Sequence, residues 1–149
     1  MKIAAHATIP AIALLSATAV LAHDGVKNPA VMDRMRAMER IGQNTQILGD
    51  MARGRTTFDA ATAQQAAQTI AVEAADIPDL FKAEETDPKS EALPAIWEDF
   101  GAFSSIAAQL SSAASQAAAN ITSEQDLQAA MRNIGATCGS CHKTYRVKK

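Results

Sequence analysis

Apolar residues recur every three or four positions in four stretches of this chain, and nowhere do they alternate strictly, so the sequence is restricted to helices. From Pro29 to about Arg53 the stripe reads Val31, Met35, Met38, Ile41 or Gly42, Thr45 and Leu48, and Gly54 supplies a C-terminal stop. A second helix is expected after Asp59, a good N-cap, running through AATAQQAAQTIAVEAADI to Pro78. The segment KAEETDPKSEALP is charged and aperiodic and reads as a long loop. A third helix follows Pro94 through AIWEDFGAFSSIAAQLSSAASQAAAN. The fourth opens on a capping box, Thr122 with Gln125 or Ser123 with Asp126, and carries Leu127, Met131, Ile134, Cys138, Cys141 and Tyr145 on one stripe. Two short links and one long one predict an all-α, antiparallel four-helix bundle. Composition agrees: alanine is abundant, while one Trp, one Tyr and four Phe leave little for strands. There is no internal repeat and no low-complexity tail.

The first 22 residues stand apart from this pattern. MKIAAHATIPAIALLSATAVLA has an early Lys, a short apolar run broken by Thr8, Pro10 and Ser16, and small residues at Val20 and Ala22 before a polar turn. That is the form of a cleaved secretory signal peptide, the alternative being an uncleaved N-terminal anchor. Residues 23–149 then form one domain, without a membrane span after processing, and the periplasm is its expected compartment if the source is Gram-negative. The formal charge of −2 becomes about −3 once Lys2 is removed. A mildly acidic chain without a basic stripe argues against nucleic acid as a partner.

The two cysteines of the chain, Cys138 and Cys141, are followed directly by His142. Cys-x-x-Cys-His is the attachment signature of c-type haem. Two thiols one helical turn apart can add across the two vinyl groups on one porphyrin edge, and the adjacent imidazole falls beneath the iron. Three other chemistries use similar spacing. A disulfide closing so short a loop constrains little of the unfolded chain. A redox dithiol belongs beside a βαβ unit, which is absent from this pattern. A zinc site needs four ligands, and beyond these three the mature chain adds only His23. One covalent haem c is the expected cofactor, with Cys138 and Cys141 as thioethers and His142 as proximal ligand.

An all-helical chain with a single Cys-x-x-Cys-His near its C-terminus resembles the class II cytochromes c, the cytochrome c' family. The resemblance covers the whole mature chain and rests on GATCGSCHKTYRVKK, an Arg-bearing first helix, RGRTTFDA before the second and LPAIWEDF opening the third. It implies a four-helix bundle, of which cytochrome c' is a known case. It also implies an axial position on the first helix that holds Met in the low-spin branch and an apolar residue in the five-coordinate branch. That position lies four residues after an Arg and sixteen before a turn Gly. Counting back from Gly54 reaches Met38, and four before it stands Arg34, implied to pair with a haem propionate. Met32, Met35 and Met51 have Asn28, Val31 and Ile47 at the corresponding place. Met35 shares the stripe and is the competing ligand.

Further residues follow from the same resemblance. Arg146 corresponds to an Arg near the proximal imidazole, though a cation matched to the helix dipole explains it equally. Trp97 corresponds to a Trp packed near the haem, and core packing also suffices for it. Lys143, Arg146, Lys148 and Lys149 make a basic end suited to an acidic redox partner, or simply a solvated helix terminus. The implied function is a periplasmic electron carrier with His/Met ligation, serving unidentified redox proteins and not acting as an enzyme. The alternative is a five-coordinate protein that binds NO or CO. Family members pair through their first helices, so a homodimer is the implied assembly if one forms.

Overall fold

The computed structural model describes residues 25–148. The expected signal peptide, residues 1–22, lies outside the described residues. Four long helices, α1 (Pro29–Ala52), α2 (Ala60–Leu80), α4 (Phe100–Asn120) and α5 (Glu124–Tyr145), surround one core, with a single turn, α3 (Ala95–Glu98), between the middle pair. Each long helix packs on the next and α5 returns to α1, which closes the four-helix bundle. The only strand-like feature among the described residues is one isolated bridge between Ala92 and Arg146.

Alanine sets the spacing of this bundle. Ala63, Ala66, Ala67, Ala71 and Ala74 of α2 and Ala107, Ala114 and Ala117 of α4 are all buried. Side chains this short bring the α2 and α4 axes together, and the most extensive helix–helix contact in the molecule lies along their seam. Ser111 of α4 donates to the Ala71 carbonyl at 2.9 Å, and Gln64 of α2 donates to the Ile121 carbonyl at 2.7 Å. On the other side α1 and α5 carry larger residues and touch least of the four adjacent pairs. The opening between them matters for function.

The helix ends follow local chemistry, with three departures from expectation. Asn28 caps α1, and Gly54, at φ +67°, takes the left-handed conformation that ends it. The second helix does not stop at Pro78. Its last turn continues because the Phe81 amide still reaches the Ile77 carbonyl at 3.1 Å, and a proline already holds a helical φ. The third expected helix is broken at Asp99, whose φ of −135° is not helical and whose carboxylate accepts the Ala102 amide at 3.0 Å, so α4 begins afresh there. At α5 the cap is Ser123 with Asp126, not Thr122 with Gln125: Ser123 Oγ accepts the Asp126 amide while the Asp126 carboxylate accepts from both hydroxyls.

Three surface carboxylates, Asp59 exposed and the other two half-buried, thus organise segment starts. Asp59 accepts from Thr62; Asp87 accepts the amides of Lys89, Lys27 and Asn28; Asp126 accepts from Ser123 and Thr122. These hydrogen bonds hold all three acids below the ordinary aspartate value, because each donor prefers the ionised form. A depressed folded pKa stabilises above the unfolded value and loses that contribution as pH falls through the folded one. The thermal midpoint, followed by circular dichroism, is expected to hold from pH 7 to about pH 5 and to fall once pH drops below about 4.

Candidate cofactor site

Between α1 and α5 lies a cavity of about 750 Å³, walled on its third side by α4 and closed by the loop after α2. α5 contributes Cys138, Cys141, His142 and Tyr145, and α1 contributes Arg34, Met35, Met38 and Ile41. Phe103, Ile106 and Leu110 of α4 form the apolar back wall. Phe103 is held there by Phe81 at 5.1 Å between ring centres and by Tyr145 edge-on at 5.3 Å. The volume and the apolar walls fit a flat macrocycle, and the donors fit its chemistry.

The α5 stripe behaves as its spacing demands. Leu127, Ile134 and Tyr145 are buried in the core, while Cys138 and Cys141, one and two turns on from Ile134, are half-buried at the cavity wall. Both thiols are free, and burial pushes both above the usual thiol range. A thiol so protonated is a poor redox nucleophile, which speaks against a dithiol oxidoreductase. His142 is shifted downwards, first by desolvation at the wall and then by the Arg146 guanidinium, against the opposing pull of Glu91. A neutral imidazole is what iron ligation needs. Among the described residues no cluster of three or more His, Cys, Asp or Glu side chains could hold a bare metal ion.

On α1 the four methionines separate. Met51 is buried in the core away from the cavity, and Met32 does not line it either. Met35 and Met38 both do, each half-buried. Met38 also packs against the core; Met35 is not among the residues packed there.

The remaining sequence candidates are placed less simply. Arg34 lines the cavity, yet only 3% of it is exposed and its donors are engaged by the chain itself. Nε donates to the Leu80 carbonyl at 2.9 Å, Nη1 to Glu85 at 2.7 Å and Nη2 to Ala83 at 2.6 Å. The guanidinium also stacks 4.8 Å from the Phe81 ring centre and 5.4 Å from that of Trp97. Burial lowers its pKa and Glu85 partly restores it. Arg34 is thus a clasp that satisfies the end of α2 and the first turn of the loop. Trp97 does not line the cavity: its Nε1 donates to the Phe81 carbonyl at 2.7 Å, one layer outside, against Arg34. Arg146 does line it, and its Nη2 pairs with Glu91 at 2.6 Å.

Glu91 and its neighbours Lys89, Ser90 and Ala92, from the segment expected only to be a long loop, complete the wall. They arrive because the Leu93 amide donates to the Tyr145 carbonyl at 3.0 Å and the Val147 amide to the Glu91 carbonyl at 2.9 Å. No local pattern announces this pairing. The back wall on α4 was readable, since Phe103, Ile106, Ala107 and Leu110 keep helical spacing.

A family model described as Cytochrome C' matches residues 29–146. The sequence is 39% identical over 120 residues to a cytochrome c-556 of Agrobacterium fabrum, covering 80% of this chain and 82% of that protein. Two solved structures share the fold closely. The oxidised cytochrome c556 of R. palustris superposes with a TM-score of 0.75 at 30% identity, over 83% of this chain and 99% of that one. The cytochrome c' of Rhodopseudomonas palustris gives a TM-score of 0.77 at 32% identity, over the same shares.

Proposed function

The chain belongs to the cytochrome c' family, and on that premise we propose that it carries single electrons in the periplasm with His142 and Met38 as axial ligands. It is a c-type cytochrome with one covalent haem c. When bound, the haem supplies an iron that gains or loses one electron. Cys138 and Cys141 present protonated thiols one turn apart for the thioether bonds. His142 offers a neutral nitrogen, and Met38 a thioether from the neighbouring helix.

The observation that carries this reading is that Met38 of α1 and His142 of α5 line one cavity. A Met/His pair raises the potential relative to two nitrogen ligands. The apolar wall of Phe103, Ile106 and Leu110 raises it further, because low polarity disfavours the extra charge of the ferric state. Arg34 and Trp97 support this arrangement by position: they hold the chain that closes the cavity. Export is supported by the signal-like residues 1–22. Among the described residues no helix is long and apolar enough to cross a membrane. The reading assigns no catalytic residue.

The visible spectrum of the reduced holoprotein, with and without carbon monoxide, tests it. Sharp low-spin bands that carbon monoxide leaves unchanged are expected. Broad high-spin bands that shift with the gas would overturn the Met38 assignment in favour of a five-coordinate protein that binds NO or CO.

A further inference from the structure

A haem carries two carboxylates, its propionates, on the porphyrin edge remote from the vinyl groups. Thioethers to Cys138 and Cys141 therefore direct those carboxylates away from α5. Off α5, the cavity lining offers two cations, Arg34 of α1 and Lys89 of the loop before α3. The lining also holds Glu39 and Glu91, whose charges oppose any further anion. A carboxylate taken from water into a largely apolar cavity needs a cation and a hydrogen-bond donor within reach.

The two cations differ in what they have left to give. Arg34 spends three N–H donors on the carbonyls of Leu80, Ala83 and Glu85, and it stacks on Phe81 and Trp97. The Lys89 side chain makes no hydrogen bond and no ion pair within the described residues. Its backbone, by contrast, is fixed. One oxygen of the Asp87 carboxylate accepts the Lys89 amide at 2.9 Å. The other accepts the amides of Lys27 and Asn28 at 2.8 and 3.0 Å. The Ser90 amide closes the same turn on the Asp87 carbonyl at 2.8 Å. Gly25, at φ +88°, lies beside the Lys89 stem, since a Cβ added there would stand 3.6 Å from Cε. An anchored turn thus presents an unspent ammonium at the wall of an apolar cavity.

We propose that Lys89 is a propionate-binding residue, its ammonium pairing with one haem carboxylate at the exposed edge of the cavity. The proposal rests on the one-electron haem reading above, though not on which residue is the sixth ligand. Asp87 is the positioning residue that holds the turn carrying Lys89. The pairing has a redox consequence. An uncompensated carboxylate near iron favours the ferric state, so a cation set against it raises the potential.

Resonance Raman spectroscopy and redox titration of the holoprotein test this. Lys89→Gln is expected to move the propionate bending band and to raise the ferric-to-ferrous ratio about 3-fold at a fixed applied potential. Lys89→Glu should raise that ratio about 10-fold, a fall of ~59 mV for one electron. Lys89→Arg should restore both readouts. Lys82→Gln and Lys82→Glu make the same charge changes just past α2, at an exposed residue outside the cavity lining. They should leave the band in place and shift the potential far less. Salt separates contact from distant charge: at about 1 M the Debye length is about 3 Å, so the effect of Lys89 should persist. A propionate band unmoved in Lys89→Gln, a potential matching the Lys82 variants, or a shift lost in high salt would overturn the proposal. So would a band that moves in Arg34→Lys and not in Lys89→Gln, which gives the carboxylate to Arg34. Every Lys89 variant keeps both cysteines, His142 and Met38. The carbon monoxide spectrum judges the ligand assignment separately, so the two readings fail by different measurements.

Discussion

Replacing Met38 with Ala is expected to leave a folded bundle whose reduced haem turns high-spin and binds carbon monoxide. Met38 is half-buried and packed on the core, so its loss removes contacts as well as the proposed ligand, a cost of about 1–2 kcal/mol for a side chain not fully enclosed. The ligand effect is larger. A bound thioether leaves the distal position open in only a small fraction of molecules, and the apparent gas affinity falls by that fraction. If detachment costs about 3 kcal/mol, roughly 1% are open, so removing Met38 should raise carbon monoxide affinity about 100-fold. Met35→Ala is the control and should leave the spectrum unchanged. Should Met35→Ala produce the high-spin form and Met38→Ala not, the ligand is the earlier methionine. Gas titrations of the two reduced variants decide.

Arg34→Ala should be the most destabilising single change in α1. Three carbonyls, at Leu80, Ala83 and Glu85, lose a charged donor at once, and two aromatic faces lose their cation. Each hydrogen bond from a charged donor is worth about 1.5–3 kcal/mol, but the three are not additive because the freed loop can turn its carbonyls to water. A net loss of about 3–5 kcal/mol is expected, lowering the thermal midpoint by roughly 10–20 °C. Arg34→Lys should recover only part of it, since one ammonium cannot span three acceptors in a fork. Denaturant melts of the holoprotein provide the check. A shift of less than about 1 kcal/mol would mean that the clasp is not what holds the loop.

These two residues also mark how far the sequence could be read. Met38 could be named because it lies on the α1 stripe and because the family resemblance supplies a register, counted from Arg34 and Gly54 along the same stretch of chain. The cysteines and His142 were legible for the same reason, since one helical turn encodes their whole geometry. The bonds of Arg34 run to residues 46 to 51 positions away, at the end of α2 and in a loop whose composition says only that it is polar. Glu91 meets Arg146 across 55 positions, equally without a local mark. The break at Asp99 is hidden for a different reason. An acid in the first turn suits a continuous helix as well as a fresh cap, and only the separate course of α4 decides between them.

The alanine seam between α2 and α4 has a consequence for how this molecule can change. Its side chains are already at the smallest size that still makes a helix face, so growth there forces the axes apart, at a cost of about 1–3 kcal/mol for each overpacked site. None of the cysteines, methionines or cations discussed above belongs to it. The frame touches the site only through its back wall, where Ala107 belongs to both. A lineage could exchange the distal methionine for leucine, or redraw the charges around His142, without paying for it in the seam. Loss and gain of an open iron site are, for such a bundle, neighbouring states separated by one side chain.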